Sequence, residues 1–236
     1  MNKIRYNHLN SYLKNKFGSR TLKICVDGGF SCPNRDGKVG LGGCIFCGEM
    51  GAGELIKGRK NCVLDSIENQ VKTFLNSYRG ERADKFIVYF QNFTNTYDTI
   101  INLKQKYDKA LQVSDKIVGL QIATRPDTLS DEVIDLIASY KDKYYVCVEL
   151  GLQTSNDSIG KMINRGYDTS QFEDAVSTLN SDLVRPNRLN AEVILIAIMD
   201  GVLYIKGKNK MYEYLSSNDD KVIISSLLLR EYLYSL

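Results

Sequence analysis

KICVDGGFSCPNRDGKVGLGGCIFCGEM, residues Lys23–Met50, opens as a strand and then stops reading as any regular element. Lys23–Asp27 is a short β-prone run. From Gly28 onward come seven glycines and three cysteines, set among Pro33, Asn34 and Asp36. Such residues shape loops and do not fill cores. A strand that runs straight into a long sulfur-rich loop sets the question for the rest of the chain: what lies around that loop, and what could it hold?

Downstream, short apolar runs alternate with helical periodicity. Lys85–Phe90, Lys116–Ala123 and Tyr144–Leu150 read as strands. Between them, Val63–Tyr78 places Val63, Ile67, Val71, Phe74, Leu75 and Tyr78 on one face of a helix, and Thr99–Leu111 does the same with Ile100, Leu103, Tyr107 and Leu111. In SDEVIDLIASY, Ser130 is an N-cap, and Asp131 and Glu132 complement the helix dipole. Strand, helix, strand at about thirty residues per repeat is the pattern of parallel βαβ units. The fold class expected is α/β, a barrel or part of one.

Barrel enzymes build their sites at the carboxyl ends of the strands. The unusual polar clusters all fall there: the cysteine loop, then NFTNTY (92–97), TRPD (124–127) and GLQT (151–154). Period-two alternation puts Glu149, Gly151 and Gln153 on one face and Val146, Val148 and Leu150 on the other. Tyr89 shares a face with Gln91, and Gln121 with Arg125. If those faces point inward, a polar mouth forms beneath the cysteine loop.

After Asn180 the repeat fails. Ala191–Ile198 and Val202–Ile205 both read as strands, yet only Met199, Asp200 and Gly201 separate them. A parallel crossover needs a dozen residues or more, so they form a hairpin or a piece of the barrel is missing. Lys208–Leu236 is partly helical by pattern. The expectation is a single domain over residues 1–236, with its last strands truncated or rearranged and residues 181–236 divergent.

The 236 residues are 43% hydrophobic and 25% charged, with a formal charge of +3 and a pI near 8.4. That is the balance of a globular domain, and without a clustered basic stripe the charge does not support a nucleic-acid or acidic-membrane partner. MNKIRYNHLNSYLKNKFG lacks an apolar signal region, and no run approaches a membrane span, so a cytoplasmic protein is expected.

In a reducing compartment six cysteines are core residues or ligands. Cys25 and Cys147 sit in the apolar runs KICV and YVCVEL and read as small buried hydrophobes. Cys62 begins a helix-like segment and is ambiguous. Cys32, Cys44 and Cys47 form C-x11-C-x2-C. A structural zinc site would need a fourth ligand from Cys25, Cys62 or His8. Three thiolates on a four-iron cluster would leave one iron open. The spacing alone leaves cluster, zinc and no metal all standing.

The blocks KFGSRTLKICVDGGFSCPNRDGKVGLGGCIFC, VYFQNFTNTY, GLQIATRPDTLSDEVIDLI and VELGLQTSNDSIGKMINRGYD resemble, in order, those of the bacterial YhcC-type radical SAM family. That family is similar in layout to the radical domain of the Elongator catalytic subunit. The resemblance covers roughly residues 12–174. It implies a [4Fe-4S] cluster held by Cys32, Cys44 and Cys47, with S-adenosyl-L-methionine chelating the unique iron. It further implies reductive cleavage to a 5′-deoxyadenosyl radical that takes a hydrogen atom from an unidentified substrate. An electron donor such as flavodoxin or ferredoxin would be needed.

On the same resemblance, Phe46 packs by the cluster or the adenine ring, unless it only packs the loop. Gly40, Gly42 and Gly43 allow positive φ and close backbone approach. Glu149 and Gln153 match positions that could bond the ribose or the methionine end. Arg125 has the planar fork for a carboxylate, and Gln91 stands where relatives bind the cofactor's amino group, although the usual Gly-Gly-Glu is absent. Arg165 in INRGYD reads more cheaply as an exposed salt bridge. The family's glycine-rich turn and helix after the fifth strand are missing, as an internal deletion would leave them. The alternative function is therefore a degenerate, inactive protein that binds a cluster or zinc for structure.

Overall fold

The computed structural model of the chain describes residues 9–49, 51, 59–60, 63–180, 192–199 and 202–204. In chain order the elements are α1 (Leu9–Phe17), β1 (Thr21–Val26), the two-residue strands β2 (Arg59–Lys60) and β3 (Val63–Leu64), α2 (Ile67–Leu75), β4 (Lys85–Phe90) and α3 (Ile100–Leu111). Next come β5 (Ile117–Thr124), α4 (Asp131–Ala138), β6 (Tyr145–Gln153), α5 (Asp157–Met162), α6 (Thr169–Asn180), β7 (Glu192–Met199) and β8 (Val202–Tyr204).

The main sheet runs β1-β4-β5-β6-β7-β8. β1 through β7 in that order pair parallel, and β8 pairs antiparallel to β7, with Met199 opposite Val202. The two late strands are thus a hairpin, since the two residues between them are too few for a parallel crossover. The sheet is open among the described residues, an α/β arrangement compatible with part of a barrel. Lys208–Leu236, His8 and Cys62 lie outside the described residues. Among the described residues no helix is long and apolar enough to cross a membrane.

Two hydrophobic clusters lie on opposite faces of this sheet. On one, Ile24, Val26, Phe86, Val88, Phe90, Leu120, Ile122, Val146, Val148 and Leu150 pack against the apolar stripes of α2, α3, α4 and α6. Each fully buried aliphatic side chain here contributes about 1.5–3 kcal/mol. Aromatic edges link the layers: Phe90 meets Tyr107 at 5.2 Å between ring centroids, and Tyr107 meets Tyr140 at 6.2 Å. On the other face, Leu9 and Leu13 of α1 pack on Ile87 and Cys147. α1 therefore covers the amino end of that face and leaves its carboxyl end to polar residues.

The cap expected at Ser130 holds, and Thr99 caps α3 in the same way. Thr99 accepts from the Asn102 N–H at 3.3 Å, and Ser130 from the Val133 N–H at 3.4 Å. The helix expected over Val63–Tyr78 is shorter than its period suggests. Val63 and Leu64 pair with Lys60 and Arg59, the helix begins after Ser66, which accepts from the Asn69 N–H, and it ends at Leu75. Tyr78 lies past that end and is 71% exposed. An N-cap serine three residues into the periodic run is the stronger start signal.

Candidate functional site

The cysteine loop begins where β1 ends, and the junction is fixed from two sides. The buried Asp27 carboxylate accepts from the Gly29 N–H at 2.8 Å and from Asn92 Nδ2 at 2.9 Å. The Asp27 backbone exchanges two hydrogen bonds with the Gln70 side chain of α2. Within the loop, the Cys32 carbonyl accepts from the N–H groups of Arg35 and Asp36, and the Asn34 carbonyl from that of Gly43 at 2.8 Å. The Cys47 N–H closes a turn on the Cys44 carbonyl at 3.0 Å.

Glycine is required at two of these positions. Gly43 has φ +80°, and a Cβ there would lie 2.8 Å from Arg35 Nε. Gly42 has φ +78°. The Arg35 guanidinium passes over Gly43 to donate to the carbonyls of Cys47, Gly48 and Glu49, and so satisfies the far end of the loop.

The Cys44 and Cys47 side chains lie within hydrogen-bonding reach of each other. The bond from Cys47 brings the Cys44 thiol down to about 6 against the cost of burial, helped by the Asn34 amide and the charges of Arg125 and Arg35. The same contact, then burial, pushes the Cys47 thiol up. Cys32, half-buried, is within electrostatic reach of Cys47, Arg125 and Tyr97. Among the described residues no group of three or more His, Cys, Asp and Glu side chains is arranged around a single metal ion. The donor set is three soft sulfurs, which fit an iron–sulfur cluster. Cys25, a possible fourth ligand, is built into β1 opposite Tyr89.

A turn far along the chain grips the loop. Ile45 N–H donates to the Ile163 carbonyl at 3.1 Å, and Asn34 Nδ2 to the Asn164 carbonyl at 2.6 Å. Asn164, at φ +52°, returns a bond from its own Nδ2 to the Gly43 carbonyl at 2.7 Å. Asn34 Nδ2 also lies 3.5 Å from Cys44 Sγ.

Behind that turn Arg165 overturns the surface salt-bridge expectation. It is 1% exposed and donates to the carbonyls of Leu152 (2.8 Å), Thr154 and Tyr167 (2.7 Å), with Asp157 at its rim. Where β6 ends, its last carbonyls lose their strand partners, and a planar five-donor group meets them.

The remaining candidates divide. Glu149 accepts from Gln121 Nε2 at 2.9 Å on the face that α1 leaves open. Tyr89 bonds the same carboxylate; burial, then that charge and bond, hold its phenol well above the usual range. Lys23 reaches this group too, its Nζ buried without a hydrogen bond and 4.5 Å from the Tyr89 ring centroid. Arg125 has its fork taken by Asp127 (2.9 and 2.7 Å), and its Nη1 donates to the Arg165 carbonyl at 2.9 Å. Gln91 is half-buried after β4, Gln153 is exposed at φ +65°, and Phe46 is 48% exposed, as Ile45 and Leu41 of the same loop also are exposed. Sequence reading singled out neither Asn34 and Asn164 nor Lys23. An asparagine within C-P-N-R-D-G and one before a glycine turn were the signals available.

Residues 85–236 match the family model described as Tsp45I type II restriction enzyme. The chain is 40% identical over 182 residues to the uncharacterized protein YtqA of Bacillus subtilis, covering 77% of this chain and 55% of YtqA. It is 36% identical over 162 residues to protein YhcC of Escherichia coli, covering 68% of this chain and 50% of YhcC. The chain thus spans about half the length of the curated relatives it matches. Among solved structures it shares the fold of the archaeal Methanocaldococcus infernus Elp3 with an N-terminal deletion, at a TM-score of 0.52 and 16% identity, covering 85% of this chain and 43% of that one.

Proposed function

We propose that this chain, which belongs by its match over residues 85–236 to the Tsp45I type II restriction enzyme family, works through the cysteine loop that precedes that match. The proposed activity is that of a radical SAM enzyme acting on an unidentified substrate. The observation that carries the reading is the loop itself: Cys44 and Cys47 in hydrogen-bonded contact, Cys32 in reach, all held at the carboxyl end of β1. Likeness to YtqA and YhcC and the fold shared with Elp3 agree with the four sequence blocks.

Cys32, Cys44 and Cys47 would hold a [4Fe-4S] cluster, which when bound supplies one-electron reductive cleavage of S-adenosyl-L-methionine to a 5′-deoxyadenosyl radical. The chain supplies placement and shelter. Glu149, oriented by Gln121 and Tyr89, offers a carboxylate to ribose hydroxyls or to the methionine ammonium. Arg125 is too fully engaged by Asp127 to bind a carboxylate directly and instead fixes the Arg165 turn. α1 packs Leu9 and Leu13 over Ile87 and Cys147 on the same face and would shelter its amino end. The open sheet would be part of a barrel, the chain a single cytoplasmic domain, and the electron donor a flavodoxin or ferredoxin.

The test is anaerobic reconstitution with iron and sulfide, reduction, and chromatography for 5′-deoxyadenosine. Its formation from S-adenosyl-L-methionine, lost in Cys44→Ala, is the expected result. A loaded, reduced protein that forms none would leave the non-catalytic reading, and zinc without iron would leave structural zinc. DNA cleavage is a second reading, favoured by the family match alone; duplex cut with Mg2+ and equally well by Cys44→Ala would support it.

A further inference from the structure

We infer that Asn34 is a positioning residue for Cys44, and that its amide N–H on the Cys44 sulfur sets how readily a cluster held there accepts an electron. The inference rests on the proposal that Cys32, Cys44 and Cys47 hold a cluster. Asn34 is 1% exposed, and both of its side-chain hydrogens are in use, one on the Asn164 carbonyl and one on Cys44 Sγ. The amide cannot be turned over, because its oxygen would then stand 2.6 Å from a carbonyl oxygen.

The oxygen it has is buried and accepts nothing. An orphaned acceptor of that kind carries an unrecovered desolvation cost, which an aliphatic side chain would avoid. Packing does not explain an amide here; its donors do. Room for it comes from glycine on two sides, since a Cβ on Gly40 would lie 2.4 Å from Asn34 Oδ1 and one on Gly166 2.8 Å. Hydrogen bonds to ligand sulfurs withdraw charge from a cluster and raise its reduction potential. Without this one the reduced state is less favoured.

The experiment uses the full chain reconstituted anaerobically, with iron and sulfide measured per chain and the reduction potential read by paramagnetic resonance against a series of poised potentials. Asn34→Leu removes the donor. Asn34→Asp keeps the shape but sets a carboxylate oxygen against both the sulfur and the Asn164 carbonyl. Asn164→Gly keeps the left-handed backbone and the Asn34 donor while deleting the return bond to Gly43.

Asn34→Leu should load as wild type does, and both variants, where loaded, should shift the one-electron equilibrium about tenfold toward the oxidised form, about 59 mV. Asn164→Gly should leave it unmoved. Unchanged potentials in loaded Asn34 variants would overturn the inference. So would loss of the cluster from both, which makes Asn34 a brace alone, or an equal shift in Asn164→Gly, which makes loop geometry the cause. A wild-type protein that takes up no iron and sulfide instead sinks the cluster reading on which this depends.

Discussion

Replacing Arg165 by methionine tests the most heavily bonded side chain of the site. The substitution keeps most of the buried aliphatic volume and removes five donors. Left behind are the carbonyls of Leu152, Thr154 and Tyr167, all formerly met by one guanidinium. At about 1–3 kcal/mol for each orphaned buried acceptor, reduced by local relaxation and entry of water, the loss should be about 3–5 kcal/mol. That is a large part of the 5–15 kcal/mol typical of a folded domain. Urea unfolding followed by circular dichroism should show a midpoint lower by about 1–2 M at an m-value of about 2–3 kcal/mol/M. Asp157→Asn, at a carboxylate 47% exposed, should move the midpoint little. A loss below about 1 kcal/mol in Arg165→Met would mean that water meets those carbonyls and that the guanidinium is not the tie described here.

Three further outcomes are expected. Cys32→Ala, Cys44→Ala and Cys47→Ala should each lose the reconstituted iron and sulfide while Cys147→Ala, buried against α1, keeps them; full iron content in Cys44→Ala would remove it from the ligand set. Gly43→Ala should destabilise the loop by about 1–2 kcal/mol for a left-handed alanine, and more for its contact with Arg35, read as earlier protease cleavage between residues 28 and 49. The Asp98 carboxyl is held below its ordinary value: burial opposes this, but bonds from Asn102 and Lys106 outweigh it. A depressed carboxyl stabilises the fold above its unfolded value near 3.8 and loses that contribution as pH falls through the folded value. The urea-midpoint gap between wild type and Asp98→Asn should thus be present at neutral pH and close below pH 4, and a gap of equal size at pH 3 would refute the assignment.

Much of the sheet was legible because its signals are local. Lys85–Phe90 was read to the residue, and the face that carries Val146, Val148 and Leu150 was read from period two alone. The chain length between β7 and β8 excluded a parallel crossover and left a hairpin as one of two readings, the one the structure takes. Val63 and Leu64 misled because two apolar residues ahead of a helix fit its period as well as they fit a strand. What could not be read was the grip on the cysteine loop. Asn34 and Asn164 are 130 positions apart, and nothing in either neighbourhood encodes the other. Arg165 was misjudged for the same reason, since a charge in a polar stretch looks solvated until the carbonyls of another element are brought against it.

That same separation orders events in time. Residues 28–49 are made early, yet the side chain that closes on them belongs to a segment synthesised 130 residues later. At 5–20 residues per second the gap is about 6–26 s, during which the three thiols are exposed to whatever metal, oxidant or chaperone the nascent chain meets. On the proposed reading, cluster delivery therefore belongs after the α5–α6 turn has emerged, when the loop has its final shape.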